Sequence, residues 1–596
     1  MTGWKEESAF PCINHITKTK AGFLITCHHT AGANGRLRED ESELECVSEQ
    51  VSEEDLPSEE SELSNRLWLL SVYIVNQVER GSRERSGEDM STRKKPKVMI
   101  SFALLIILSF AACQTAAPTS TSEPPQEVSD IFDTAWSERE LFRANLVPAE
   151  QGILDELPGA TEYHIEFTIP ENFDMIRGHE AVLFTNQEDT PLDAVYFRLY
   201  PNVTGGRAII SNITVDGEEV ETRYEAYDSS LRVQLPDLLE PNSSVVLELD
   251  FNIEIPRDMG DYYGLFGYFE DVLVLDTFYP MIPVYDDEGW NADVPQINGD
   301  LTYNDVAFYL VRVHAPVDLI VVASGVRLQR TVDDDIQTLT FANGPARDFY
   351  LAASERFTVM SEKVGETTIN SYAFPEWQEN SNVVLQSSVS ALRSFNSRFG
   401  TYPYSEMDLM STPMLALGIE YPGAMGIALR MYDPEVIIGG LPSQVYVEST
   451  VAHEVAHQWF YNMVGNDQSD EPWVDEALAQ YATGLYYQDT YGSSAAESYR
   501  SSWQSRWDRV DGADIPIGLP AGEYEGSEYG AIVYGRGPIF ISELADTMGI
   551  DVFDDFIKTY AQEYKWDIGT GETFKLLAEE KCDCDLSSLF EAWVYP

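Results

Sequence analysis

Two histidines of this chain stand four residues apart, and a glutamate directly follows the first: His453, Glu454 and His457. On an α-helix, side chains four residues apart share one face, so both imidazoles can bind one metal ion. Glu454 is rotated by about 100° from His453, which leaves its carboxylate able to reach a water on that metal. The alternative is a buried helix with two satisfied histidines, and that alternative predicts nothing about the sequence that follows.

A third ligand is available further along the chain. Glu476 is the nineteenth residue after His457 and lies on the next predicted helix. A helical hairpin can fold this carboxylate back beside the two imidazoles. Two histidines and one glutamate leave the fourth coordination position of zinc open, as a catalytic zinc site requires. The sequence therefore predicts one Zn²⁺ ion held by His453, His457 and Glu476.

Helical periodicity in the second half of the chain indicates the elements that position these ligands. Residues 443–464 and 471–488 are predicted to form the two ligand-bearing helices. Further helices are predicted over residues 380–399, 538–548, 551–564 and 585–594. Earlier in the chain, partly alternating runs separated by turn residues predict strands over residues 163–169, 245–253 and 306–313. We therefore predict a β domain over residues 151–355, followed by a mainly helical domain over residues 356–596.

Two further motifs flank the metal-binding pattern. Residues 418–425 read Gly-Ile-Glu-Tyr-Pro-Gly-Ala-Met, and residues 533–537 read Val-Tyr-Gly-Arg-Gly. With H-E-x-x-H, eighteen intervening residues and then Glu, these motifs resemble those of the aminopeptidase N family of zinc peptidases. The resemblance covers about residues 155–596 and implies an α+β fold. In that fold, an N-terminal antiparallel β-sandwich or saddle domain precedes a thermolysin-like, mostly helical catalytic domain.

The resemblance also implies a role for each site residue. Glu454 would take a proton from the attacking water and deliver it to the leaving amine. The Tyr534 hydroxyl would stabilise the oxyanion beside the zinc. Glu420 would hold the free α-ammonium of the substrate, and Gly418 is assigned to substrate binding with it. An opposite-charge pair at 4 Å is worth about 4 kcal/mol at an effective dielectric of 20, before desolvation is subtracted. The implied partners are peptides with a free N-terminus.

The sequence departs from the family pattern at three places. Thr277 stands where many relatives have a glutamine that assists amine binding, and Tyr421 replaces the familiar asparagine after the anchoring glutamate. The chain also ends at Pro596, near the end of the family's catalytic domain, so we expect a cleft without a helical cap. An open cleft keeps a zinc endopeptidase as an alternative function. An inactive, zinc-stabilised peptide-binding protein is the alternative from a different class.

The amino-terminal part of the chain contains a predicted targeting signal. Met90 is followed by basic residues, then by an apolar run and then by Ala-Ala-Cys113, a sequence that resembles the signal and lipobox of bacterial lipoproteins. Residues 90–113 are therefore predicted to be a signal peptide with Cys113 as the lipidation site. We expect residues 1–89 not to belong to the native protein, because such signals begin a chain. A Pro/Ser/Thr-rich stretch then predicts a flexible tether over residues 114–150. The expected location is outside the cytoplasm, anchored by lipid to the membrane of a bacterial cell envelope.

Composition excludes one class of partner. The 596 residues carry 100 Asp and Glu against 38 Lys and Arg, a formal net charge of −62. A nucleic-acid backbone would be repelled, so no nucleic-acid partner is expected. The six cysteines do not form a disulfide framework. Cys582 and Cys584 could form a local disulfide or remain free.

Overall fold

The computed structural model of this protein describes residues 131–259, 263–296 and 298–595. It also describes the backbone of an antiparallel hairpin formed by strands β1 (His15–Thr19) and β2 (Gly22–Thr26), which belongs to a separate unit of the chain. The predicted signal peptide, Cys113 and residues 114–130 of the predicted tether lie outside the described residues. Among the residues described, no helix is both long and apolar enough to cross a membrane.

Seventeen strands build the first part of the main unit. They are β3 (Thr161–Thr168), β4 (Met175–Thr185), β5 (Leu192–Arg198), β6 (Arg207–Val215), β7 (Glu218–Glu219), β8 (Thr222–Glu225), β9 (Ser230–Leu239), β10 (Ser244–Glu254), β11 (Phe266–Phe269), β12 (Val272–Leu275), β13 (Tyr285–Asp286), β14 (Gly289–Trp290), β15 (Ala307–Pro316), β16 (Ile320–Ala323), β17 (Val326–Asp333), β18 (Ile336–Ala346) and β19 (Leu351–Ser354). The largest sheet has the order β17-β18-β15-β3-β4-β10-β6-β7. All its pairs are antiparallel except β15 with β3, so the predicted antiparallel sheet holds apart from one parallel pair.

The core of this region follows from the period-2 pattern of its strands. In β10, Leu247, Leu249, Phe251 and Ile253 point to one face and are buried, while the residues between them are partly exposed or exposed. The smaller sheets β11-β12-β19-β16 and β5-β9-β8 contribute to the same apolar cluster. The β-rich first part and helical second part confirm the predicted α+β class.

The second part combines one sheet with the helices. Its strands are β20 (Thr358–Val364), β21 (Thr367–Ala373), β22 (Glu406–Thr412), β23 (Gly418–Tyr421), β24 (Ala424–Ala428), β25 (Ile437–Ile438) and β26 (Leu441–Pro442). Its α-helices are α1 (Gln378–Phe399), α2 (Gln444–Ala456), α3 (Trp473–Tyr491), α4 (Ser493–Trp507), α5 (Glu528–Ala531), α6 (Gly537–Met548), α7 (Ile550–Glu563), α8 (Gly571–Cys582) and α9 (Ser587–Trp593). Strand β23 forms one edge of the sheet β20-β21-β22-β24-β23.

The structure corrects the length of the first ligand-bearing helix. Residues 443–464 do not form one helix, because α2 ends at Ala456 and His457 is its C-cap. Beyond that point the chain turns: the Asn462 N–H donates to the His457 carbonyl, and Tyr461 adopts a left-handed φ of 131°. The apolar run continues to residue 464 because these turn residues are buried as well.

The predicted tether is also corrected. Residues 139–150 do not belong to a free tether, because they pack on the folded body. Phe142 and Leu146 are buried, and the Asn145 side chain donates to Asn343 of β18 at 3.1 Å. The Val147 N–H donates to the Pro403 carbonyl. Their few apolar side chains gave no periodicity that would have indicated this docking.

A buried arginine joins the two parts of the main unit. The guanidinium of Arg347, just after β18, donates to the carbonyls of Tyr461 and Asn462 in the turn that follows α2. It also donates to Asn304 and Asp567. Because these bonds satisfy carbonyls from separate segments, Arg347 fixes the turn after α2 against the β-rich part.

Candidate functional site

The three predicted metal ligands converge at one point. The His453 Nε2 atom lies 3.0 Å from Glu476 Oε2 and 3.2 Å from His457 Nε2. The His457 Nε2 atom lies 3.5 Å from the same carboxylate oxygen. All three side chains are buried. Helix α3 therefore folds Glu476 back beside the two imidazoles, which is the geometry that the predicted site required.

These separations fit a zinc ion. Ligands at about 2.0–2.1 Å in tetrahedral arrangement lie about 3.3 Å from one another, close to the three distances found here. His457 is also oriented for coordination: its Nδ1 donates to the Phe460 carbonyl at 3.0 Å, which leaves the Nε2 lone pair directed at the cluster. The donor set of two imidazoles and one carboxylate is one that zinc prefers.

The edge strand β23 faces this cluster with alternate residues. Residues 418 and 420 share one face of the strand, as its period of two requires. The Glu420 Oε1 atom lies 3.6 Å from His457 Nδ1, and carboxylate oxygens of Glu420 and Glu454 lie within 4.8 Å of each other and of that imidazole. Gly418 packs directly on the Glu454 carboxylate, where a Cβ would lie only 2.6 Å from Glu454 Cδ. The Gly-x-Glu spacing thus brings one close backbone contact and one carboxylate to Glu454.

The surroundings of the three carboxyl groups shift their pKa values in different directions. Burial raises the pKa of Glu454 to about 8, although the charge of His457 opposes the shift. It also raises the pKa of Glu420 well above its usual range. Burial acts on Glu476 in the same sense, but the neighbouring imidazoles of His453 and His457 outweigh it and hold that pKa below its usual range. The lowered pKa of Glu476 suits a metal ligand, because a carboxylate binds a metal ion in its deprotonated form.

Tyr534 reaches the cluster from a π-helical segment, Ile532–Arg536. Its hydroxyl donates to Glu476 Oε1, and its ring centroid lies 6.0 Å from that of His453. Single π-helical turns occur frequently at functional sites because they redirect one side chain. Asp475, the residue before Glu476, accepts hydrogen bonds from the Glu476 N–H and from the Gln468 side chain.

One cavity of about 290 Å³ is lined by six of the residues predicted for the site, namely Gly418, Glu420, His453, Glu454, Glu476 and Tyr534, whereas His457 lies outside its lining. The cavity also contains residues that the sequence did not single out, among them Asp300 from the β-rich part and Arg506 from α4. Burial, with the charges of Glu476 and Asp475, raises the pKa of Asp300 well above its usual range. Neither residue lies in a motif, so no local signal could have found them. Thr277 does not line this cavity but a neighbouring pocket of about 20 Å³.

The fold and the site together define a two-part metallopeptidase architecture, with a β-rich part followed by a helical part that carries the metal-binding pattern. Residues 383–593 match the family model described as "Peptidase family M1 domain". This part of the chain is therefore a peptidase family M1 domain, and the predicted relationship with the aminopeptidase N family is confirmed.

Known proteins resemble the chain at low identity. It is 22% identical to Aminopeptidase 2 of Candida albicans over 472 residues, which cover 76% of this chain and 48% of that relative. It is 30% identical to Aminopeptidase RNPEPL1 of Mus musculus over 214 residues, covering 33% of this chain and 29% of the relative. The chain thus spans about half or less of the length of these relatives.

One solved structure with a related fold is the M1 zinc metallopeptidase from Deinococcus radiodurans. It superposes with a TM-score of 0.55 at 18% identity, covering 73% of this chain and 93% of that chain. This likeness extends across the β-rich part as well as the helical part, and at this identity it concerns the fold.

Proposed function

We propose that this protein is a zinc-dependent aminopeptidase that removes N-terminal residues from peptides with a free amino group. The observation that carries the proposal is the convergence of His453, His457 and Glu476 beside two further buried carboxylates, Glu454 and Glu420. The names of the relatives support it, since they are aminopeptidases. A related structure is described as bound to a Tyr-Ser-Ala substrate.

Each residue of the chain has a separate task in this proposal. A zinc ion bound by the three ligands supplies a Lewis acid that makes water nucleophilic near neutral pH. Glu454 accepts the proton of the attacking water and returns it to the leaving amine, and its buried carboxylate lies beside His457 for that exchange. The Tyr534 hydroxyl donates to the oxyanion that develops on the scissile carbonyl.

Glu420 determines which bond reacts. Its carboxylate lies at the cavity wall beside His457, where an α-ammonium can pair with it. Pairing at that position fixes the start of the peptide, so the first peptide bond is the one presented to the ligand cluster. An endopeptidase needs no such anchor, because its substrate continues in both directions.

Cleavage assays with matched substrates test the proposal. The zinc-loaded protein is incubated with aminoacyl chromogenic amides and with N-acetylated peptides, with and without a chelator. Chelator-sensitive cleavage of free-amine substrates alone supports the aminopeptidase. Equal cleavage of blocked peptides indicates the endopeptidase, and no cleavage by zinc-loaded protein indicates a binding protein.

Two variants separate the tasks of the carboxylates. Glu454→Gln should abolish turnover while the zinc content by atomic absorption stays at one ion per chain, because glutamine cannot accept the proton. Glu420→Gln should raise KM for free-amine substrates, while the inhibition constant of an N-acetylated peptide stays close to the wild-type value. Retained turnover in the first variant, or an unchanged KM in the second, would contradict the assigned roles.

We further propose that the protein is anchored by lipid at Cys113 outside the cytoplasm. The basic, apolar and Ala-Ala-Cys sequence of residues 90–113 supports this proposal. Expression of the full chain with a labelled fatty acid should label the wild type but not Cys113→Ala. Equal labelling, or release of unlabelled wild type into the medium, would contradict the anchor.

A further inference from the structure

The cavity is lined by acidic side chains and by one basic side chain. Carboxylates of Asp300, Glu420, Glu454 and Glu476 line it, and Arg506 is the single arginine or lysine among its described lining residues. Such a cation is unexpected in a chain with a formal net charge of −62, and the proposed anchoring of an ammonium makes no use of it.

Helix α4 directs Arg506 into the cavity. Tyr499 and Arg506 are seven residues apart, two turns of the helix, so they share the face that lines the cavity. The Tyr499 hydroxyl donates to Gln480 of α3 at 2.6 Å, which fixes this face against the ligand-bearing helix. The Arg506 guanidinium carbon lies 5.8 Å from the centroid of the Tyr534 ring.

The Arg506 guanidinium has no direct hydrogen-bonding or ion-pair partner among the described residues. Arg536, from the same part of the fold, differs: it donates to the carbonyls of Ile515, Ala592 and Trp593 and pairs with Asp514. A planar guanidinium presents its donors in a fork that matches a carboxylate, and in Arg506 that fork remains available to a solute.

Arg506 and Glu420 lie beside different members of the ligand cluster. Glu420 is next to His457 at 3.6 Å, whereas Arg506 is next to Tyr534, whose ring neighbours His453. A peptide whose ammonium pairs with Glu420 therefore passes the ligand cluster before it reaches Arg506. Whatever Arg506 binds belongs to the part of the substrate that follows the scissile bond.

We propose that Arg506 binds a substrate carboxylate on the leaving-group side of the scissile bond, which makes short or acidic peptides preferred substrates. This inference rests on the proposed aminopeptidase function. The carboxylate is either the C-terminus of a short peptide or an acidic side chain following the removed residue. Both sources offer the same chemistry, a planar anion for a bidentate guanidinium pair.

Two substrate pairs test the proposal and distinguish the sources. Leu-Gly is compared with Leu-Gly amide, which lacks the terminal charge, and Leu-Glu amide is compared with Leu-Gln amide. In the wild type, at least one anionic member should have the higher kcat/KM, by about tenfold and mainly through KM, as expected when a charged hydrogen bond is lost. In Arg506→Gln that ratio should approach one, and Arg506→Lys should restore part of it.

The comparison of ratios excludes indirect effects. If Arg506→Gln disturbed only Tyr534, all four substrates would slow together and the ratios would persist, which would overturn the proposal. The matched control is Arg509→Gln, which removes an exposed arginine outside the cavity lining and should keep the wild-type ratios. The proposal would also be overturned if the wild type cleaved both members of each substrate pair with equal kcat/KM.

The same substrate preference can be measured as binding affinity, without turnover. Titration calorimetry on the zinc-loaded Glu454→Gln protein gives Kd for both members of each substrate pair, and adding Arg506→Gln should weaken only the anionic member of a discriminated pair, by about tenfold. Failure of this difference, while aminoacyl amides are still cleaved by the wild type, would reject the carboxylate site and leave the aminopeptidase proposal intact. A wild type inactive on every substrate would reject the aminopeptidase instead.

Discussion

Substituting alanine for Gly418 should slow catalysis without unfolding the protein. A Cβ at this position would lie 2.6 Å from Cδ and 2.7 Å from Cγ of Glu454, whereas ordinary contact begins at 3.4 Å. The carboxylate must therefore retreat by at least 0.7–0.8 Å. Because the obstructing atoms belong to the far end of a flexible side chain, Glu454 can move without displacing the backbone, so the cost falls on the position of the base.

The expected magnitude follows from that displacement. A misplacement of about 1 Å costs on the order of 10²-fold in rate when proton transfer depends on alignment. We expect kcat of Gly418→Ala to fall by about that factor while KM changes little, since the ammonium contact of Glu420 does not involve the new methyl group. Zinc content should stay at one ion per chain and the thermal midpoint close to wild type.

The assay is steady-state cleavage of an aminoacyl chromogenic amide, with Gly152→Ala as the control. Gly152 has no atom within 4 Å of an added Cβ, so that variant should match the wild type. Full activity in Gly418→Ala would refute the proposed contact between Gly418 and the base.

Two other predictions concern a hydroxyl and a buried acid. Tyr534→Phe should lower kcat by about 10²-fold or more with zinc retained, because one donor to the oxyanion is lost; unchanged kcat in the same chromogenic assay would contradict its role. Burial raises the pKa of Asp408 to about 8, so the folded protein binds this proton more tightly than the unfolded chain. The free energy of unfolding therefore falls as pH rises from about 4 through 8, by up to about 1.4 kcal/mol per pH unit. Asp408→Asn keeps an acceptor for Asn370, and its thermal midpoint should rise relative to that of the wild type between pH 5 and pH 8. If the difference between the two midpoints is the same at both pH values, the raised pKa of Asp408 is refuted.

The ligand set was readable from the sequence because local geometry determines most of it. Helical spacing places His453 and His457 on one face, and strand spacing places Gly418 and Glu420 on another. The third ligand needed one further step, a turn that folds α3 back, and the fixed interval to Glu476 signalled it. Local rules therefore predicted the donors, though not the end of α2 at Ala456, which depends on the buried turn that Arg347 holds.

Besides the one-turn helix α5, two longer helices escaped prediction, for different reasons. Helix α4 is rich in serine, and only Ala495, Ala496 and Trp503 of it are buried, so it lacks an apolar stripe of ordinary width. Helix α8 begins with a capping box between Thr570 and Thr573, in which threonine takes the place of the usual glutamate or glutamine. That Thr-x-x-Thr pattern is the signal that could have located its start.

By itself, the sequence determined the metal-binding pattern, the α+β class and the residues of the three motifs, because each depends on the helix or strand period over a few positions. Only the tertiary structure decided which charges surround that pattern. Asp300 and Arg506 reach the cavity from elements about 150 residues before and 50 residues after the first histidine. Their positions result from packing between distant segments, which no local period encodes, and so the acidic and basic groups around the ligand cluster can be placed only in the folded chain.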